Sequence, residues 1–405
     1  MSVRYIDSMD TCSGVEMRTR YDVVVNFDSS FCTTVDLVGR FGGRVTRLQT
    51  AIGNNNIMLG HSGDLVSKMI VGGWFANAVN PGTSEAILSL RSSGTQQVGV
   101  HFTSLHFFAL HTAGVQRSSS TSSTDYGSTT GFVLELEAHW HGSAGSATVY
   151  LSGVAILSYT GSTTTTGASG FNQALYGCAA DGNHDFDDFY CFDDQGDTNT
   201  SRIGPAYRIR THLVNAFAVS AWTPVGAATN DAAVDETLPD DLTTYVHTSA
   251  AGTVDRYEVT AATGVYSASE IPRAAQVVAR AIAPSGGSPT LRLLCELSGV
   301  TVSGAAITCS TAWSHNHVFP VSLRPGGSTW AVSHVDNVTI GQENGIAAAT
   351  FLTWIGVEVL TASGASAGAA PPTVALTGSL VWIQSGVSGV RNVIVAKGTT
   401  VSGEW

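Results

Sequence analysis

This chain of 405 residues has little charge and almost no lysine. Charged side chains make up 12% of it, against roughly 25% in an average soluble domain. Lys68 and Lys397 are the only lysines, and the arginines are scattered singly from Arg18 and Arg20 to Arg391. Phosphate contacts need a clustered positive surface, so no nucleic-acid partner is expected. Long apolar runs are also missing. Segments such as Leu105–Leu110 have strand length, far short of the roughly 20 residues of a membrane span, so no membrane insertion is expected. The opening Met1–Asp7 carries no apolar core or small-residue cleavage site, which predicts cytoplasmic synthesis without a signal peptide. Whole-chain disorder is excluded, because it requires low hydrophobicity and 43% of these residues are apolar.

Cysteines are few. Cys12, Cys32, Cys178, Cys191, Cys295 and Cys309 form no CxxC pair, which argues against structural zinc. Cys295 and Cys309 flank a hairpin at Leu297–Gly304 and could face one another across strands. Buried reduced thiols are the other reading, and the one that suits cytoplasmic synthesis.

Helical periodicity is nearly absent. The best stretch, Glu270–Ala283, contains Pro272 and Val277-Val278 and suits a strand better. Elsewhere short β-branched or aromatic runs alternate with Gly, Ser, Asn and Thr clusters, the pattern of all-β sandwiches. In Leu134–His141 the residues Leu134, Leu136, Ala138 and Trp140 would face a core, and Glu135, Glu137, His139 and His141 would face out. Ala147–Leu157 reads as two strands around a turn at Ser152-Gly153. Ser118–Gly131, Gly161–Gly170 and Thr361–Pro372 are low-complexity stretches with almost no charge, expected as loops or linkers. No repeat of fixed period is visible. The expected organisation is a sandwich domain over 1–222, an acidic linker over 223–245, and a second β-sandwich over 246–405.

The densest acidic run is Asp181–Asp197. Asp181, Asn183 and Asp185 alternate like the first ligands of a calcium loop, but Phe186 and Phe192 stand where an EF-hand needs Gly and Glu. A different calcium site on a sandwich rim is one reading, and the only cofactor the sequence suggests. In the other, Phe186, Asp188, Tyr190 and Phe192 share one strand face and the terminal acids cap turns.

The segment Phe186–Gly196 resembles the hydrophobic-Asp-Asp-hydrophobic-Tyr strand late in concanavalin-like and laminin-G-like jelly rolls. Together with Tyr5–Asp10, Gly39–Arg44, Ile203–Ile209, Ala233–Val246 and Asp255–Tyr257, in that order, it resembles structural proteins of tailed bacteriophage virions. The resemblance spans about residues 5–260. It implies a concanavalin-like jelly roll followed by a second β-sandwich. It also implies a non-enzymatic virion component, a tail or head appendage or fibre, made in the host cytoplasm and acting through contacts with other virion proteins. Such a protein would be a homo-oligomer, with a trimer expected for a fibre, and could recognise a host-surface glycan. A lectin-like receptor module is the alternative, and a glycoside hydrolase a weaker one.

Specific residues bear on these alternatives. Glu135 and Glu137 have the i, i+2 spacing of a retaining carboxylate pair, with His139 beyond them, but the third acid of a glucanase pattern is missing. Asp187 and Asp188 should point to opposite faces. His101, His106 and His111 recur every five residues and are not expected to converge. His139 with His141, and His315 with His317, are the places to look for an ion on a fibre axis. Trp140, Trp222, Trp313, Trp330, Trp354 and Trp382 could stack on sugars or anchor cores.

Overall fold

Alternating apolar residues, cut by glycine and serine turns, produce strands along the whole described chain. The computed structural model describes residues 3–363 apart from 11–16, 26–31, 36–39, 42–43, 50–56, 77–84, 103–106, 121–130, 166, 179–182, 197–198, 200 and 286. The first part contains β1 (Val3–Asp7), α1 (Met17–Arg20), β2 (Val23–Val25), β3 (Cys32–Val35), β4 (Val45–Gln49), β5 (Ile57–Val66), β6 (Lys68–Ala76), β7 (Glu85–Ser92) and β8 (Thr95–Phe102). It continues with β9 (Phe108–Thr112), β10 (Val115–Ser119), β11 (Phe132–His139), β12 (Gly145–Leu151), β13 (Val154–Gly161), β14 (Phe171–Cys178) and β15 (Asn183–Asp193). The second part holds β16 (Tyr207–Val219), β17 (Thr223–Val225), β18 (Tyr245–Thr248), β19 (Val254–Val259), β20 (Glu270–Ile282) and β21 (Thr290–Leu297). It ends with β22 (Val300–Ser303), β23 (Ile307–Thr308), β24 (Ser314–Val321), α2 (Val332–Val335), β25 (Thr339–Asn344) and β26 (Thr350–Ser363).

The fold is all-β, as expected. The first sandwich has one sheet in the order β13-β12-β11-β6-β15-β4-β3, with β1 added on β15. Its second sheet runs β10-β9-β8-β7-β14-β5-β2. Between them lies a core built from Leu134, Leu136, Ala138, Val98, Val100, Phe102, Phe108 and Tyr176, among others. In the second part β17-β18-β26-β16-β19-β25-β21-β22 form one path, and β20 bridges β24 and β26. Its own core includes Trp222, Trp330, Val277, Leu293 and Val357. Glu270–Ile282 is a strand and Ser152-Gly153 a tight turn, as the sequence suggests, and the hairpin expected at Leu297–Gly304 turns at Ser298-Gly299.

The two sandwiches join earlier than residue 222. Strand β16 pairs with β26 from Tyr207↔Ala362 to Leu213↔Gly356, so it belongs to the second sandwich. The acidic segment after it is not a free tether: Ala233 and Val234 are fully buried in the second core. Thr361–Ser363, expected as the start of a loop, continues β26. The remainder of that stretch, and the strand-like runs beyond Thr373, lie outside the described residues.

The first sheet is covered on both faces. Its outer face carries Val3, Ile6, Ile70, Trp74, Tyr190 and Phe192, which pack on Tyr207, Ile209, Ala274, Leu360 and Ala362 of the second sandwich. The structure is thus a stack of layers in which β15 supplies two cores at once. A bulge makes this work. Asp188 has a left-handed φ of 52°, and the pairing with β6 shifts between Asp187 and Tyr190. The expected common face for Phe186, Asp188, Tyr190 and Phe192 is therefore corrected. Phe186, Phe189 and Cys191 face the first core, while Tyr190 and Phe192 face the second sandwich.

A buried ionic knot closes the junction. Arg20 is fully buried, and its Nη2 lies 2.8 Å from both carboxylate oxygens of Glu358 and 3.1 Å from Asp7 Oδ1. Its Nε donates to the Tyr5 hydroxyl at 2.7 Å. Gln276 bonds the backbone of Ile6 in both directions, with Nε2 donating to the carbonyl at 2.6 Å and Oε1 accepting from the N–H at 3.2 Å. Arg20→Met would leave two carboxylates buried without their cation. The expected loss is about 3–5 kcal/mol of unfolding free energy in urea titration.

Two buried histidines set an acid limit. Burial pushes both His184 and His317 down to about 4. His184 lies among Phe102 and Phe186 with neither nitrogen hydrogen-bonded. A base with depressed affinity in the folded state contributes stability above its unfolded value, near 6.5, and loses it as pH falls towards 4. Each should contribute about 3 kcal/mol to this loss. His184→Phe should remove its share of the fall in urea midpoint between pH 7 and pH 4.

Candidate functional site

The covered first sheet leaves the outer face of the second sheet as the place where polar side chains gather. Along β7, β8 and β9 the residues Ile87, Leu90, Val98, Val100, Phe102, Phe108 and Leu110 point into the core. Strand alternation sends Ser89, Arg91, Gly99, His101, Ala109 and His111 the other way. Register brings them together. Gly99 lies opposite Ser89 on one side and His111 on the other, and Gln96 lies opposite Arg91. Gln173 of β14 is the partner of Arg91 on its far side, and Gln116 of β10 is the partner of His111. Gly99 leaves room for the Gln96 amide: a Cβ there would come within 2.5 Å of the Gln96 side-chain nitrogen and push the amide aside.

Hydrogen bonds link the group. Arg91 Nε donates to Ser89 Oγ at 3.2 Å, and Ser89 Oγ donates to Gln96 Oε1 at 3.3 Å. Gln96 Nε2 lies 3.0 Å from His101 Nε2. The His101 and His111 rings stack with centroids 3.7 Å apart and planes at 7°. Arg91 also donates to Gly94 O at 3.2 Å and to the Met58 sulfur at 3.0 Å. These bonds use three of the five N–H groups of a guanidinium, and no carboxylate pairs with Arg91 among the described residues. Burial lowers the pKa of Arg91 and also that of His111, whose buried Nε2 has no hydrogen-bond partner. The face therefore offers a cation, a neutral imidazole, amides and a hydroxyl. Such a set suits a ligand that carries carboxylate and hydroxyl groups.

The expectation that the five-residue histidine series does not converge is corrected for His101 and His111. The chain turns between Phe102 and Phe108, and the hairpin folds the two residues onto one face. His106 lies outside the described residues. Arg91, Ser89 and Gln96 were missed, although Val98, Val100 and Phe102 alternate with Gly99 and His101 in the sequence.

The other candidate residues are placed differently. Asp185 is fully buried and bidentate with Arg47 at 2.6 and 2.8 Å. Asp181 lies outside the described residues, and Asn183 opens β15. No three His, Cys, Asp or Glu side chains converge as a metal shell among the described residues. Asp187 and Asp188 do come together, against expectation, because of the bulge. The Arg40 N–H donates to Asp187 at 2.8 Å, the Ile209 N–H donates to Asp188 at 2.9 Å, and the Arg40 guanidinium lies 3.6 Å from Asp188. Burial raises both carboxyls, Asp188 to about 7 against the pull of Arg40, and the charge of Asp188 raises Asp187 further. Asp188 fastens β15 to β16, and Asp187 holds the Arg40 backbone beside them.

Glu135, Glu137 and His139 share an outward face, but Glu135 is not open to substrate. It is fully buried, accepts from the Tyr190 hydroxyl at 2.5 Å and the Gly204 N–H at 3.0 Å, and pairs with Arg202 at 3.2 Å. Glu137 pairs with Lys68 at 2.6 Å. His141 Nδ1 accepts the turn N–H groups of Ser143 and Ala144, and His317 is buried. Trp222, Trp330 and Trp354 are core residues, and Trp140 packs against the first core. Trp382 lies outside the described residues. Cys32, Cys178, Cys191, Cys295 and Cys309 are buried free thiols.

No protein-family model matches the chain, and no curated protein is similar to it in sequence. Among solved structures, an endo-β-1,4-glucuronan lyase from the fungus Trichoderma reesei is similar at 11% identity and a TM-score of 0.36, over 47% of this chain and 95% of the lyase. The alginate lyase Aly36B is similar at 9% identity and a TM-score of 0.36, over 46% of this chain and 93% of that one. A Trypanosoma rangeli sialidase is similar at 13% identity and a TM-score of 0.26, over 36% of this chain and 27% of the sialidase. At these identities the likeness is one of fold. The expectation of a non-enzymatic virion component acting through protein contacts is corrected here: the solved neighbours named are carbohydrate-processing enzymes and not virion proteins. The phage and tail-fibre reading finds no support in them.

Glu135→Gln should weaken the buried cluster with Tyr190 and Arg202. The expected cost is about 1–3 kcal/mol in urea unfolding, with ligand binding on the second sheet's outer face unchanged.

Proposed function

We propose that the outer face of the second sheet binds an acidic polysaccharide through the carboxylate of a uronate residue and cleaves it by β-elimination. The observation that carries this is Arg91, a half-buried cation without an acidic partner among the described residues, set beside the stacked imidazoles. A carboxylate can take its two remaining N–H groups in the parallel geometry that guanidinium favours. Neutralising that carboxylate makes the neighbouring ring C–H more acidic. His111, held neutral by burial, accepts the proton. The electrons of the C–H bond form the new double bond, the bond from the ring to the glycosidic oxygen breaks, and that oxygen leaves after taking a proton from water. Ser89 and His111 both lie opposite Gly99 and Arg91 is two residues further along β7, so the backbones of Arg91 and His111 are about 12 Å apart, a gap that a sugar ring and the two side chains can span.

The test is incubation with alginate, glucuronan and pectate, following the ultraviolet absorbance of the unsaturated product. Turnover of one polymer is expected, with Arg91→Ala reducing it by about a hundredfold or more. Absence of product and of retardation in affinity gels with all three polymers would overturn the proposal.

A further inference from the structure

Hydrogen-bond chemistry on this face has a direction. A guanidinium has only donors, so Ser89 Oγ accepts from Arg91, and its own proton goes to Gln96 Oε1 at 3.3 Å. That fixes the side-chain amide: its NH2 end, and not its oxygen, faces His101 Nε2 at 3.0 Å. His101 Nε2 is then an acceptor, and a neutral imidazole accepting there carries its proton on Nδ1. A doubly protonated His101 would aim an N–H at an NH2 group. His111 has no such constraint at its own Nε2.

We propose that the chain Arg91–Ser89–Gln96–His101 is a one-way donor relay. It holds His101 neutral as the Nδ1–H tautomer and makes His111 the member of the stacked pair that takes up a proton. The surroundings fit this assignment. His111 meets His101 and Gly99 from β8 and Gln116 from β10. Arg91 is the nearest cation on β7, and Arg117 of β10 is turned to Thr112 and the Tyr159 ring. Stacking at 3.7 Å adds a second restraint, since two charged rings at that separation repel. The relay thus makes Gln96 a positioning residue for the site. This inference deepens the proposed uronate chemistry and rests on it for its use, but its test does not.

The test is a histidine side-chain nitrogen NMR titration of the full chain. In the unaltered protein, His101 should keep its proton on Nδ1 from about pH 8 to about pH 5, while His111 follows a single-site curve as pH falls. Gln96→Glu replaces the donor with an acceptor. It should raise the proton affinity of His101 at least about tenfold and lower that of His111 through the stacked charge. Gln96→Met keeps the bulk and removes the donor, which should let His101 titrate. Ordinary titration of His101 in the unaltered protein, a proton on its Nε2, or no change at His101 in both variants would overturn the relay. Loss of polymer cleavage in the assays above with these titrations intact would sink the lyase proposal and leave the relay standing.

Discussion

The arrangement depends on one buried cation. Arg20 sits where the first strand, the short helix after it and the last described strand meet, and it serves Asp7 and Glu358 together. Burying these charges is costly, and the guanidinium compensates because its Nη2 reaches both oxygens of Glu358 while Nε donates to Tyr5. With that knot in place the second sandwich lies against the outer face of the first sheet. Trp74, Tyr190 and Phe192 then become core residues, where an isolated sandwich would present them to solvent. The consequence for function is positional. One of the two outer faces of the first sandwich is occupied by protein, and polar chemistry is left to the other.

That remaining face is organised by register more than by any local motif. Arg91 and Ser89 come from one strand, Gln96 and His101 from the next, His111 from a third. Each is unremarkable where it stands in the sequence. Two hairpins put these strands side by side, a bulge between Gln96 and Val98 turns Gln96 to the face of Gly99 and His101, and Gly99 makes room for Gln96 to lie across the middle. The guanidinium then sets the polarity of every hydrogen bond down the line.

Much of the fold was legible in the sequence because alternation is a local property. Leu134, Leu136 and Ala138 read as inward-facing from their own strand, and they are. The site was less legible because it depends on where strands stop. His101 and His111 looked divergent when counted along one extended segment, and they meet because the chain reverses between them. Asp188 defeated a period-two count for a different reason: a single left-handed residue shifts the phase of everything after it. Glu135 illustrates a third limit. Its outward direction was legible, but the segment carrying Arg202 and Gly204, more than sixty positions on, decides that outward means buried.

The side-chain link from β1 through Arg20 to Glu358, near the end of the described chain, has a temporal meaning. Asp7 and Arg20 are made more than three hundred residues before Glu358. Until then the second face of the first sheet has no partner and one of the two carboxylates at the knot is absent. Domains generally fold from the N-terminus as they are made. This chain can close its first core in that way, but it must hold an apolar face of Val3, Ile6, Tyr190 and Phe192 in waiting. The first sandwich is therefore an intermediate that translation itself keeps open, and the rate at which the last strands arrive sets how long that face is exposed to other chains.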